Sequence, residues 1–348
     1  MLRPNAKALV IAVGGGIGDV LLATPVVRAL RARYDEVVVL TTRAHREVLL
    51  GNPDVADVWT VDGVPLAAEA GRIAAAGFDA AIVTWATPRT ALLPFLARVP
   101  VRVGQARRLY SGLFTKRVTV RSELGDHHSH WTQVLLDFAR ALDCDVTDGT
   151  PLFVIDDAQR SAARRALAGA GIDGPYVVLH PTRGIAAARE RWPVARLAAL
   201  GRALAAETGR PLVVSGGASD AAISATVAEG AGGTSLSGRL SIGEFGALAQ
   251  GASAVVALDS GPMHVAAAVG APTVGIFALR SDEPQRWAPL GPRTAVVLPD
   301  YPCPPQHRKE TCPDFACIAN LEIPRVLTAL RGLLAVPLEA QARGNAEG

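Results

Sequence analysis

The chain has 348 residues, 49% of them hydrophobic and 19% charged, with a formal net charge of +3. That balance excludes a disordered chain, and without any basic run it gives no support for a nucleic-acid surface. The length suits two domains of roughly 150 residues each, and no apolar run approaches the ~18 residues of a spanning helix.

Taken in order, 8–13 reads as a short buried strand, followed by Gly14-Gly15-Gly16-Ile17-Gly18-Asp19 and a helix over 20–33 in which Pro25 sits early and invites a kink. Strands at 37–40, 58–61, 80–84 and 101–103 alternate with helices at 44–50, 66–76 and 90–97. Such alternation marks a parallel sheet covered on both faces. Residues 104–125 are irregular and carry Arg107, Arg108, Arg117 and Arg121; a helix over 127–142 ends the first half, and 143–151 reads as the linker. The second half repeats the plan. Strands are expected at 176–180, 211–215, 254–258 and 273–278, and helices at 158–170, after Pro193, at 220–229, at 242–250, after Asp259-Ser260-Gly261-Pro262 and at 324–334. The reading is therefore an N-terminal domain over 1–150, a C-terminal domain over 151–334 and a polar tail over 335–348.

Two strand-loop-helix junctions carry chemistry. At Asp259-Ser260-Gly261-Pro262-Met263-His264, Ser260 is placed as N-cap and Pro262 suits the first helical turn. A helix start there offers unpaired N–H groups and a dipole to an anion, beside a carboxylate and an imidazole. An ordinary connection that binds nothing would look the same. At Gly14–Gly18 the dinucleotide pattern fails, because its last position is Asp19 and no acidic residue follows the second strand, and a Walker A loop is excluded because Gly-Lys-Ser/Thr is absent. Gly15, Gly16 and Gly18 then let a ligand approach the backbone, with Asp19 either functional or simply a helix-favouring acid. A third stretch, Arg183 through Arg189, Glu190, Arg191 and Trp192, suits phosphate oxygens or a solvated loop plugged by Trp192. In doubly wound sheets ligands bind outside the carboxyl ends of strands, so both junctions are expected to face one cleft.

These residues resemble glycosyltransferase family 9, the heptosyltransferase-like enzymes. The likeness rests on the segment Gly15 to Leu30, on Arg191-Trp192-Pro193, on Ser237-Gly238-Arg239-Leu240-Ser241-Ile242-Gly243-Glu244-Phe245 and on Asp259 to Thr273. It implies a GT-B fold of two facing Rossmann-like domains and an inverting transfer of a sugar, with heptose and an ADP donor favoured, to a glycan, glycolipid or small-molecule hydroxyl. By position it makes Asp19 the general base. It gives the donor diphosphate to Asp259, Ser260, Gly261 and His264, brings Met263 near the donor, although packing is its first reading, and sets Asp220 by the ribose. Arg183 and Arg191 are the candidate phosphate cations. Alternatives are a sugar-nucleotide epimerase and a noncatalytic nucleotide-sugar-binding protein.

No cofactor and no catalytic metal are expected, since the one Asp-x-Asp, Asp143-Cys144-Asp145, falls in the linker. A cytoplasmic location is expected, and peripheral membrane contact stays open. Three departures from the family stand out. Glu190 replaces a lysine before Arg191-Trp192-Pro193; Phe277-Ala278-Leu279-Arg280 replaces Phe-Gly-Pro-Thr; and Gln306 replaces one of four C-terminal cysteines, leaving Cys303, Cys312 and Cys317 with His307 as packing residues or metal ligands.

Overall fold

The computed structural model describes residues 4–183, 191–277, 283–302, 304, 306–308 and 311–335. The chain divides into two compact units, one running to Val154 and one starting at Ile155. The junction lies a few residues beyond 150 because the segment after it is tied to the first unit: the Leu152 N–H donates to Thr24 Oγ1 at 2.9 Å.

The first unit contains β1 (Lys7–Ile11), β2 (Glu36–Thr41), β3 (Asp57–Thr60), β4 (Ala80–Val83), β5 (Val101–Gln105) and β6 (Lys116–Val118), all parallel in the order β3-β2-β1-β4-β5-β6. Leu9 on β1 is flanked by Val38 on β2 and Ala81 on β4. β1 and β4 are almost wholly buried, which is why they read as unbroken apolar runs instead of alternating ones. The helices are α1 (Ile17–Leu22), α2 (Thr24–Arg31), α3 (Leu66–Ala76), α4 (Pro88–Leu96) and α5 (Trp131–Arg140).

Two expectations change here. The helix expected over 20–33 is two helices meeting at Ala23. Pro25 has no N–H for the Leu21 carbonyl, which instead accepts the Thr24 hydroxyl at 2.7 Å. α5 starts at Trp131 and not at 127, because Asp126 accepts the N–H groups of His128 and Ser129 and holds the chain in a turn.

The second unit contains β7 (Val177–His180), β8 (Leu212–Val214), β9 (Thr234–Ser235), β10 (Ala254–Leu258), β11 (Thr273–Ile276) and β12 (Thr294–Val297). Its parallel order, β12-β11-β10-β7-β8-β9, is the same pattern as in the first unit when counted from its own first strand. Its helices are α6 (Asp157–Ala168), α7 (Val194–Thr208), α8 (Ala221–Ala231), α9 (Ile242–Gly251), α10 (Gly261–Ala268), α11 (Pro284–Trp287), α12 (Ala316–Ala319) and α13 (Ile323–Ala335). Leu179, Trp192, Val256, Val274, Phe315 and Val326 pack in one core. Both sheets are doubly wound with the strand order of nucleotide-binding folds, so this is the GT-B pair of Rossmann-like domains. The order reverses between β1 and β4 in one unit and between β7 and β10 in the other, and ligands bind at such switch points. Among the described residues no helix is long and apolar enough to cross a membrane.

Candidate active site

In the first unit β1 runs into Gly14, whose φ of +111° is open to glycine and strained for other residues. The loop has no side chains because others fill that space. A Cβ on Gly14 would lie 2.8 Å from Trp85 Cδ1, and one on Gly15 would lie 2.5 Å from Asp19 Cγ. Trp85 follows β4 and Asp19 is in the first turn of α1, so indole and carboxylate flank the loop at the β1/β4 switch point. Asp19 is half-buried, and its Oδ2 accepts the Gly16 N–H at 2.7 Å. It therefore does act as a first-turn acid, and the same bond fixes its carboxylate over the loop. Gly18 lies inside α1.

One neighbour of Asp19 was not legible in the sequence. His45 follows β2 in a short 3-10 helix, Arg43–Leu49, that replaces the expected α-helix. Among the described residues its Nδ1 is buried without a hydrogen-bond partner. Burial pushes its pKa below the ordinary histidine value, and the carboxylates of Asp19 and Asp62 pull the other way.

In the second unit the β7/β10 switch point gathers Arg183, Asp259, Ser260, Gly261 and His264. The Arg183 guanidinium donates from Nη2 to Asp259 Oδ2 at 2.8 Å and from Nε to the Asp259 carbonyl at 3.0 Å. The two side chains are 6% and 17% exposed. Arg183 thus meets Asp259 and offsets a negative charge at the mouth of α10. Ser260 occupies the N-cap position without capping. Its hydroxyl donates back to the Leu258 carbonyl at 2.8 Å. By contrast, Ser241 and Glu244 form a full capping box on α9. His264 is buried on the first turns of α10. Among the described residues Thr182 Oγ1, after β7, is buried with no hydrogen-bond partner.

The remaining candidates also belong to the second unit. Met263 is fully buried, and a Cβ on Gly275 would lie 2.6 Å from its sulfur, so it packs α10 onto β11. Asp220 is 5% exposed at the start of α8, after β8. Arg191 is exposed beside Trp192, whose Nε1 donates to the Pro181 carbonyl at 2.9 Å and whose ring meets Phe315 edge-on. Arg189, Glu190, Ala278, Leu279, Arg280 and Cys303 lie outside the described residues. Cys312 and Cys317 are buried, with His307 Nδ1 3.7 Å from Cys312 Sγ. Among the described residues no group of three His, Cys, Asp or Glu could hold a metal.

One more buried imidazole shapes this end of the sheet. His180 closes β7, its Nδ1 3.0 Å from Ser215 Oγ and its ring edge-on to Phe245. Burial drives its pKa down to about 4, so it is neutral in the folded protein at pH 7.

The likeness to known proteins agrees with this architecture. "Lipopolysaccharide heptosyltransferase 3" of Escherichia coli is 27% identical over 283 residues, 75% of this chain and 80% of that protein. The glycosyl transferase family 9 structure from Veillonella parvula superposes with a TM-score of 0.81 at 21% identity, covering 96% of this chain and 99% of that one. The ADP-heptose lps heptosyltransferase II of E. coli gives 0.76 at 22% identity over 94% and 98%. The model of "Glycosyltransferase family 9 (heptosyltransferase)" matches residues 69–314. That span covers more than half of the chain and takes in the Asp259–His264 junction, and with it the protein belongs to glycosyltransferase family 9.

Proposed function

We propose that this glycosyltransferase moves a heptose from ADP-heptose, with inversion and without a metal, to a hydroxyl of a lipopolysaccharide-type glycan. The observation that carries the reading is the start of α10, a helix N-terminus without a side-chain cap whose one acid is neutralised by a buried arginine. Both features suit a diphosphate. The α10 N–H groups attract it, and the Arg183–Asp259 pair removes the carboxylate charge that would repel it. Ser260, Gly261 and His264 then line the diphosphate, with Thr182 beside them. The choice of ADP-heptose and of a lipopolysaccharide acceptor follows the names of the relatives, one an ADP-heptose lps heptosyltransferase and one a lipopolysaccharide heptosyltransferase.

In the proposed step the acceptor oxygen attacks the anomeric carbon on the face opposite ADP. Its proton passes to Asp19, the bond from carbon to phosphate oxygen breaks, and ADP leaves with both electrons. Hydrogen-bond donors at α10 stabilise the charge that develops on the leaving oxygen. A glycolipid acceptor also calls for peripheral membrane contact, and the exposed Leu109 and Leu124 of the Arg-rich segment supply apolar side chains for it.

The test is ADP release from ADP-heptose with a de-acylated lipopolysaccharide core oligosaccharide, in the presence of EDTA. The reading predicts acceptor-dependent release that EDTA leaves unchanged and that UDP-glucose does not replace. Release that stops in EDTA contradicts the metal-free step, and release from UDP-glucose alone contradicts the donor.

A further inference from the structure

We propose that Trp85 is the platform on which the sugar ring of the acceptor stacks, presenting its hydroxyl to Asp19; this rests on the transfer reading above. Trp85 is 42% exposed, unusual for the largest apolar side chain, and yet it is not loose. Its pyrrole edge lies on Gly14, where a Cβ would come within 2.8 Å of Cδ1 and 3.6 Å of Nε1. Trp131 at the start of α5 meets it edge-on, with centroids 6.2 Å apart and planes at 60°. The Trp85 carbonyl accepts the Thr90 hydroxyl at 3.1 Å, which ties it to the N-terminus of α4. An indole fixed on its edge and partly open to solvent is built to receive something flat and partly apolar.

Its position supplies the partner. Gly14 and Gly15 are adjacent, and the space of the first missing Cβ belongs to Trp85 while that of the second belongs to Asp19. The indole and the carboxylate thus border neighbouring residues of one loop at the β1/β4 switch point, and the proposal seats the acceptor ring between them. A pyranose fits such a surface. Its axial C–H groups form an apolar face for the indole, and its equatorial hydroxyls point outward at the rim. Stacking holds the ring equally in the ground and transition states, so it tightens acceptor binding and leaves kcat nearly unchanged.

The experiment titrates the protein, without donor, with a de-acylated lipopolysaccharide core oligosaccharide and follows tryptophan emission. The expected result is a saturable change in wild type that Trp85→Phe abolishes. In transfer assays Trp85→Ala should raise the acceptor KM about fivefold to tenfold, the size of a lost aromatic contact. The donor KM and kcat should move less than twofold, and Trp85→Phe should restore the KM to within about threefold, as an aromatic ring still stacks. A merely structural role for Trp85 would instead lower the melting temperature and shift both substrates together. No emission change in wild type, or one that persists in Trp85→Phe, overturns the platform. If the emission responds but ADP is never released from ADP-heptose, the platform stands and the transfer reading falls. If ADP is released and Trp85→Ala leaves the acceptor KM unmoved, the transfer stands and the platform falls.

Discussion

The Arg183–Asp259 pair is the most exposed point of the account to experiment. In Arg183→Ala the Asp259 carboxylate, 17% exposed, stays at the mouth of α10 and loses the Arg183 guanidinium. Two unit charges about 4 Å apart attract by about 4 kcal/mol at an effective dielectric of 20. Breaking a buried pair by removing one partner costs about 3–5 kcal/mol. Asp259 keeps some solvent, and the α10 dipole favours a negative charge by about 0.3–1 kcal/mol. The expected loss is therefore about 2–3 kcal/mol, read as a lower urea midpoint at constant m-value. ADP affinity by calorimetry should fall at least about tenfold, since the carboxylate, stripped of the Arg183 charge, repels the diphosphate more strongly. Asp259→Asn on the Arg183→Ala background removes that charge, so it should recover more than half of the stability and part of the affinity. A double-mutant cycle with coupling under about 0.5 kcal/mol would refute the reasoning, as would ADP affinity unchanged in Arg183→Ala.

Three further outcomes are expected. His264→Ala should weaken ADP binding about tenfold or somewhat more, the loss of one hydrogen bond to a charged group, measured by calorimetry with EDTA present. His180 gives the fold an acid limit. Its pKa falls from 6.5 in the unfolded chain to about 4 in the folded one, so the unfolded state binds the proton first and stability is full above about pH 6.5. As pH drops from 6.5 toward 4, about 3 kcal/mol is lost, and urea unfolding at pH 7.5 and 4.5 should show a smaller difference in His180→Asn than in wild type. Gly14→Ala puts a methyl 2.8 Å from Trp85 at a φ of +111°. It should cost about 1–3 kcal/mol in urea unfolding and displace the indole, seen as a shifted emission maximum.

How much of this was legible in the sequence depended on burial. The central strands β1, β2, β4, β7, β8, β10 and β11 lie deep in their sheets and announce themselves as apolar runs. The strands that sequence reading missed, β6, β9 and β12, are all at sheet edges and half-exposed, so neither an apolar run nor an alternation marks them. At the site, the Gly14–Asp19 and Asp259–His264 junctions were legible because strand, loop and helix start are contiguous in sequence. The Arg183–Asp259 pair was not, because its partners are 76 residues apart and meet only once β7 and β10 are neighbours. The same holds for Trp85 against Gly14. A tryptophan just past the end of a buried strand was the available signal, but its meaning needed the knowledge that β4 lies beside β1. His45 carried no signal at all, since its neighbour Asp19 follows a different strand.

The central claim is that Asp19 takes the acceptor proton, and the most direct measurement is transfer by Asp19→Asn. Asn keeps the size of the side chain and an oxygen for the Gly16 N–H, so the α1 start survives. It cannot accept a proton at neutral pH. The account predicts that kcat for ADP release with the core oligosaccharide falls about 10²-fold or more, while ADP binds within threefold of wild type. Turnover within a few-fold of wild type in a folded Asp19→Asn protein would remove Asp19 from the chemistry.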